Sequence, residues 1–245
     1  MKHNSPKEDY TDSPSGIRGK ILVTGANGQL GKEIQQLARP DPHPIAMGYD
    51  FIFLSKEDLP VNDPGSVKEF FAKHHPVFCI NCAAYTAVDK AESEKELAFR
   101  VNAEAVGVLA AVCSEYNCRF IHISTDYVFD GKASVPYKEE TATNPQTVYG
   151  ASKLEGEKRA LQFNPGSIII RTSWVYSEFG KNFVKTMLKL MSEKEEINVV
   201  NDQYGSPTYA ADLAKAILQI TGIPATHDSR LTTHIYHFSN EGIIT

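Results

Sequence analysis

Lys20-Ile21-Leu22-Val23-Thr24-Gly25-Ala26-Asn27-Gly28-Gln29-Leu30-Gly31 is the stretch that decides the fold. A short apolar run ends on Gly25, and Leu30, Ile34 and Leu37 then recur at helical spacing. Between strand and helix stands the pattern G-x-x-G-x-x-G. Glycine permits the tight turn and lets backbone N–H groups approach a pyrophosphate at the helix N-terminus, where the helix dipole favours anions. A glycine triplet alone is a weak signal. On the first strand–helix junction of a βαβ pattern it is a strong one. Gly25, Asn27, Gly28, Gln29, Leu30 and Gly31 are therefore the expected cofactor-binding turn.

Working outward, apolar runs predict further strands at Phe51–Leu54, Val77–Asn81, Phe120–Ser124 and Ser167–Thr172. Helical patterns lie between them, around Val67–Phe71, over Ala98–Tyr116 and Val148–Leu161, and at Asn182–Ser192. Such alternation specifies an α/β fold, a Rossmann-type doubly wound parallel sheet, with the ligand site beyond the strands' C-terminal ends. The alternation lapses near Gly180. The expected organisation is a disordered leader over 1–19, an NAD(P)-binding domain over 20–180, and a small C-terminal substrate lobe over 181–245 that is partial and interleaved with the first domain.

The chain's 245 residues suffice for a sizeable core, and its 42% hydrophobic and 22% charged residues are ordinary for a globular protein. A net charge of −5, with no basic run, speaks against a nucleic-acid partner. No uninterrupted apolar stretch reaches the roughly 18 residues a spanning helix needs, so no membrane is expected. The polar start lacks a signal core, and the four cysteines suit a reducing compartment, so the expected location is cytoplasmic. Cys79 and Cys82 form a C-x-x-C, but nothing completes a metal site, and packing is their expected role.

The end of the second strand bears on the cofactor. An acid there would bind the ribose 2′-OH of NAD. Here Leu54 is followed by Ser55 and Lys56, which suit a 2′-phosphate, so NADPH is expected, with NADH as the alternative. Lys56 reads equally well as a plain solvated charge. Farther on, Tyr149 and Lys153 stand four apart, on one helical face. An ammonium there would lower a phenol pKa that is ordinarily ~10, making Tyr149 a candidate proton donor.

At this point the chain resembles the extended short-chain dehydrogenases/reductases, and within them the dTDP-4-dehydrorhamnose reductase family. The likeness is carried by Thr24–Gly31, Asn81–Glu92, Ser124-Thr125-Asp126-Tyr127-Val128-Phe129-Asp130-Gly131, Tyr149–Glu157, Arg171–Tyr176 and Asn201-Asp202-Gln203-Tyr204-Gly205-Ser206-Pro207-Thr208. It implies reduction of the C4 ketone of a nucleotide-sugar substrate, dTDP-4-dehydro-L-rhamnose. It further implies Thr125, Tyr149 and Lys153 as the catalytic residues, with Tyr149 and Lys153 also touching the cofactor. Ala83, Ala84 and Tyr85 would line the cofactor, while Thr86, Val88, Thr125, Tyr149 and Trp174 would face the sugar. Asp126 and Tyr127 are expected to shape the loop, and Asn102 to be a structural polar link. A homodimer is left open.

Two departures from the family pattern stand out. Where relatives carry an acid that contacts adenine, this chain has Pro60, so adenine binding is expected to rest on Val61 packing, or on Asp58 or Asn62. Relatives also continue beyond Thr245, and the nucleotide end of the substrate site is accordingly expected to be incomplete. Two alternative functions stay open: another nucleotide-sugar reductase or epimerase of the same family, and a catalytically silent NADP-binding regulatory subunit.

Overall fold

The computed structural model describes residues 19–39, 48–222 and 234–245; of the expected leader, all but Gly19 lies outside the described residues. In chain order the elements are β1 (Gly19–Thr24), α1 (Gln29–Leu37), β2 (Tyr49–Leu54), α2 (Pro64–His74), β3 (Pro76–Asn81), α3 (Val88–Ala91) and α4 (Lys95–Phe99). There follow α5 (Ala105–Glu115), β4 (Arg119–Thr125), α6 (Val148–Phe163), β5 (Ile168–Thr172), β6 (Val175–Tyr176), α7 (Phe183–Glu193), β7 (Thr208–Tyr209), α8 (Ala210–Gly222) and β8 (Ile235–Phe238).

Six strands form one sheet in the order β2-β1-β3-β4-β5-β8, with every neighbouring pair parallel. Both faces are covered, which is why these strands read as continuous apolar runs. Leu22, Cys79, Phe120 and Ile169 pack with Val67, Phe71, Leu109 and Ala160 of α2, α5 and α6. Ile21, Val23, Ile80, Ile121 and Ile170 pack with Ile34 of α1 and Leu213 and Ile217 of α8. The strand order turns back between β1 and β3, and at that switch point a doubly wound sheet opens a crevice for ligand.

The helix expected at Ala98–Tyr116 begins at Lys95 and is interrupted by a π turn over Arg100–Glu104. By length and composition the stretch Lys95–Glu115 is apolar enough to cross a membrane, but 56% of its apolar window is buried inside the protein. It is the core helix under the sheet.

Beyond Gly180 the structure resumes the alternation that the sequence reading lost. Helix α8 packs on the main sheet and β8 extends it beside β5. The pattern lapses between them and the preceding elements because α7 has no buried residue and β6 and β7 are two-residue strands paired only with each other. Gly205 and Ile244 exchange backbone hydrogen bonds of 3.0 and 2.9 Å, drawing the last residues onto the Asn201–Thr208 segment.

Candidate active site and its family

The glycine turn lies at the switch point. Gly25 has φ +66, and a Cβ there would stand 2.6 Å from the Ala83 nitrogen, so only glycine lets β1 and β3 close up at their ends. Helix α1 starts after Gly28 with no side-chain cap and no acid in its first turn. Its leading N–H groups are thus left for an anion. Leu30 is buried in the core and offers that anion only its backbone. Gln29 is likewise limited, because its Nε2 donates to the Val175 carbonyl at 3.4 Å and its Oε1 accepts from Asn182 Nδ2 at 2.9 Å. Asn27 and Gly28 are exposed at the turn, and Gly31 is buried behind it.

A hydrogen bond of 3.1 Å from the Ala26 N–H to the Leu54 carbonyl brings the end of β2 beside this turn, so Ser55 and the exposed Lys56 follow directly at its edge. Asp58 is turned back: its Oδ2 accepts from the Ser55 N–H at 2.8 Å, and this bonding to Ser55 holds its carboxyl below the usual range. Val61 packs against the core cluster beside Leu59 and Val67. Asp63 is spent as the N-cap of α2, accepting from the Gly65 and Ser66 N–H groups.

After β3 the chain passes over the same crevice. Asn102, presented by the π turn, brackets Tyr85: its Oδ1 accepts from the Tyr85 N–H at 2.8 Å, while its Nδ2 donates to the Tyr85 carbonyl and to Ser152 Oγ, both at 3.0 Å. The half-buried Ala83 and Ala84 are thereby held against α6, as the expected polar link requires. The Tyr85 hydroxyl donates to Glu94 at 2.6 Å, which pushes the phenol up to about 12. Thr86 is exposed, and Val88, half-buried, opens α3.

Helix α6 is capped by Thr147, whose hydroxyl accepts from the Gly150 N–H at 3.0 Å; Tyr149 stands on the first turn and Lys153 on the next. Gly150 lies so close to the Tyr127 carbonyl that any side chain would collide with it. This contact seats Tyr149 against the end of β4. There the Thr125 hydroxyl faces the Tyr149 phenol, donates to Asp126 Oδ1 at 3.1 Å and accepts from the Tyr127 N–H at 3.3 Å. The rings of Tyr127 and Tyr149 meet edge-on, 5.5 Å apart.

The electrostatics differ from the expectation. Burial pushes the Tyr149 phenol up to about 12, with Asp126 and Tyr127 adding to the rise and Thr125 opposing it. Lys153 is not among the groups acting on it. Its Nζ donates to the Ile123 carbonyl at 2.6 Å and lies 3.4 Å from His122 Nε2. Burial pulls Lys153 itself down to about 8, against the pull of Glu157 and Cys82. The expected lowering of the phenol by an adjacent ammonium is thus corrected. Sharing a helical face with the phenol did not reveal that the lysine is bonded to the strand beneath it.

Beside this cluster a cavity of about 650 Å³ opens, lined by residues that include Asp126, Tyr127, Trp174, Gln203, Tyr204 and His237. Trp174 is half-buried with φ +46, and its indole lies over Gly205 of the Asn201–Thr208 segment. Thr125, Tyr149, Thr86 and Val88 are not in the lining; Asp126 and Tyr127 join cavity to phenol. Underneath, Arg171 makes two bonds to Glu157, at 2.9 and 2.7 Å, and Ser124 Oγ donates to the same carboxylate at 2.5 Å. This buried pair pins α6 to β4 and β5. Sequence reasoning missed Asn81, His122 and Glu157 as parts of the site. Asn81 and His122 left one signal, a polar residue inside an apolar strand, which must find a partner there.

The family model described as the RmlD substrate binding domain matches residues 19–245. The chain belongs to this family. Among its relatives, the spore coat polysaccharide biosynthesis protein SpsK of Bacillus subtilis (strain 168) is 43% identical over 225 residues, covering 91% of this chain and 74% of that protein. The dTDP-4-dehydrorhamnose reductase of Aggregatibacter actinomycetemcomitans is 40% identical over 226 residues, covering 92% of this chain and 75% of that protein. Among solved structures, that of the Bacillus anthracis dTDP-4-dehydrorhamnose reductase in complex with NADP superposes with a TM-score of 0.84 at 39% identity, covering 93% of this chain and 76% of that one. The Rossmann-type fold of this RmlD-family chain is thereby shared with a protein that holds NADP.

Proposed function

We propose that this chain is a dTDP-4-dehydrorhamnose reductase, an NADPH-dependent oxidoreductase of dTDP-rhamnose biosynthesis. The observation that carries the reading is the juxtaposition of the buried Thr125 and half-buried Tyr149 with an uncapped, glycine-lined helix start at the switch point of the sheet. Relatives of that name, about 40% identical along nearly the whole chain, support it.

The crevice fits the cofactor. The N–H groups at the start of α1 would hold the pyrophosphate, Ala83, Ala84 and Tyr85 would line its path, and Ser55 and Lys56 stand where a 2′-phosphate would be met. When bound, the nicotinamide supplies the hydride that reduces the C4 ketone. The protein's own part is the proton. With its pKa near 12, Tyr149 is an O–H at neutral pH, the state a donor to a developing alkoxide needs. Thr125 faces the phenol and works against the rise in its pKa, so it favours the phenolate left behind once the proton is given. Lys153 is proposed to bind the nicotinamide ribose from behind Tyr149, and Trp174, Thr86 and Val88 to bound the sugar.

The substrate is a small nucleotide-sugar. A homodimer and a cytoplasmic location complete the proposal, the latter supported by four unpaired thiols, three of them buried. Light scattering on the purified chain tests the dimer, since a monomeric mass would remove it. The activity is tested by following NADPH consumption with dTDP-4-dehydro-L-rhamnose and, in parallel, with UDP- and GDP-linked 4-keto sugars. Turnover of the dTDP sugar well above the others is expected. Preference for another base would transfer the reading to a different nucleotide sugar.

A further inference from the structure

Lys153 is buried, and what faces its amine is a chain of side chains running back to the glycine turn. Asn81 Oδ1 accepts from Thr24 Oγ1 at 2.6 Å and from the Ala83 N–H at 3.2 Å. A backbone N–H can only donate, so the amide cannot be flipped. Asn81 Nδ2 therefore points at His122 Nδ1, 3.0 Å away, and donates to it. His122 is fully buried at the centre of β4, stacked on Phe120, and burial together with Lys153 holds it neutral. A neutral imidazole that accepts at Nδ1 must carry its proton on Nε2. That N–H lies 3.4 Å from Lys153 Nζ.

We propose that His122 is a positioning residue for Lys153, its tautomer set by Thr24 and Asn81 so that a ring N–H faces the lysine nitrogen and favours the uncharged amine. An ammonium sets N–H against N–H, whereas the amine left after deprotonation accepts from His122 while donating to the Ile123 carbonyl, 2.6 Å away. The other groups facing Lys153 are Glu157 on α6 and Cys82 after β3, and both favour the charged form. His122 opposes them from β4. The chain of contacts joins the turn that would hold the pyrophosphate to the lysine that would hold the ribose, so the consequence for catalysis rests on the role proposed above for Lys153.

The first test needs no catalysis. A long-range proton–nitrogen NMR spectrum of the uniformly labelled chain, with His122 assigned by comparison with His122→Gln, is expected to show a neutral ring protonated on Nε2. A ring protonated on Nδ1, or on both nitrogens, overturns the proposal even if the chain reduces no sugar. The second test is the pH profile of NADPH oxidation. In Asn81→Asp the new carboxylate would draw the ring proton to Nδ1 and turn a lone pair toward Lys153, and His122→Leu would remove the N–H without adding charge. Both are expected to move the alkaline limb up by about one pH unit, a roughly tenfold gain in proton affinity. A purely structural role would lower the rate at every pH and leave the limb in place. An unmoved limb in either folded variant overturns the proposal.

Discussion

At the scale of single residues, the two members of the Tyr149/Lys153 pair are buried to opposite effect. Burial keeps Tyr149 protonated and makes Lys153 easier to deprotonate, because in each case the charged form is the one penalised. Lys153 then has a stability signature. Its folded pKa, about 8, lies below its ordinary 10.5, so between those values the unfolded chain binds more protons and stability rises with pH. Below about 8 the full cost of holding the ammonium in the core is present. Lys153→Met should therefore be more stable than the parent at neutral pH, with the gap closing from about pH 8 toward 10.5. Denaturant midpoints over that range measure it, and a gap independent of pH would contradict the account. The pair itself was legible from sequence because its spacing is local. The partner of Lys153 was not: His122 is 31 positions away and meets it only through the packing of α6 on β4.

At the scale of elements, helix α6 is the part that carries the chemistry, and its placement depends on buried polar bonds more than on apolar area. Its first turn is held by the Thr147 cap, and its middle by Glu157 on Arg171. Removing one partner of a buried pair leaves an uncompensated charge, so Glu157→Gln should cost about 3–5 kcal/mol. The Glu155–Arg159 pair on the same helix is partly exposed, and Glu155→Ala should cost at most about 1 kcal/mol. Urea denaturation of the two variants compares them directly, and equal losses would mean that Glu157 does not anchor α6. The elements buried on both sides were readable, since Ile21–Val23 and Ile168–Ile170 leave no doubt of a central strand. Strands β6 and β7 were not, because two residues carry no periodicity. The π turn at Arg100–Glu104 was also invisible, since inserting a residue into a helix leaves its apolar composition unchanged.

At the scale of the whole molecule, three separate parts of the chain converge on one crevice. Gly25 touches Ala83, Ala26 is bonded to Leu54, and Gln29 reaches across to Val175 and Asn182. Gly25→Ala should force β1 and β3 apart at that point and weaken NADPH binding at least tenfold. Fluorescence titration measures this, and parental affinity in the variant would show that the crevice tolerates the opening. The alternation of strands and helices and the glycine turn made this region legible from the start. The cavity beside Trp174 was less so, since its walls come from residues 126–147, 171–174, 202–206 and 237–243. The central claim is that Tyr149, as a protonated phenol, gives the proton that completes ketone reduction. Tyr149→Phe keeps the ring and removes only the hydroxyl. Measured together, NADPH oxidation with dTDP-4-dehydro-L-rhamnose should fall by about 10²–10⁴-fold while the NADPH dissociation constant stays within about twofold. Turnover at the parental rate in a variant that still binds NADPH would contradict the account.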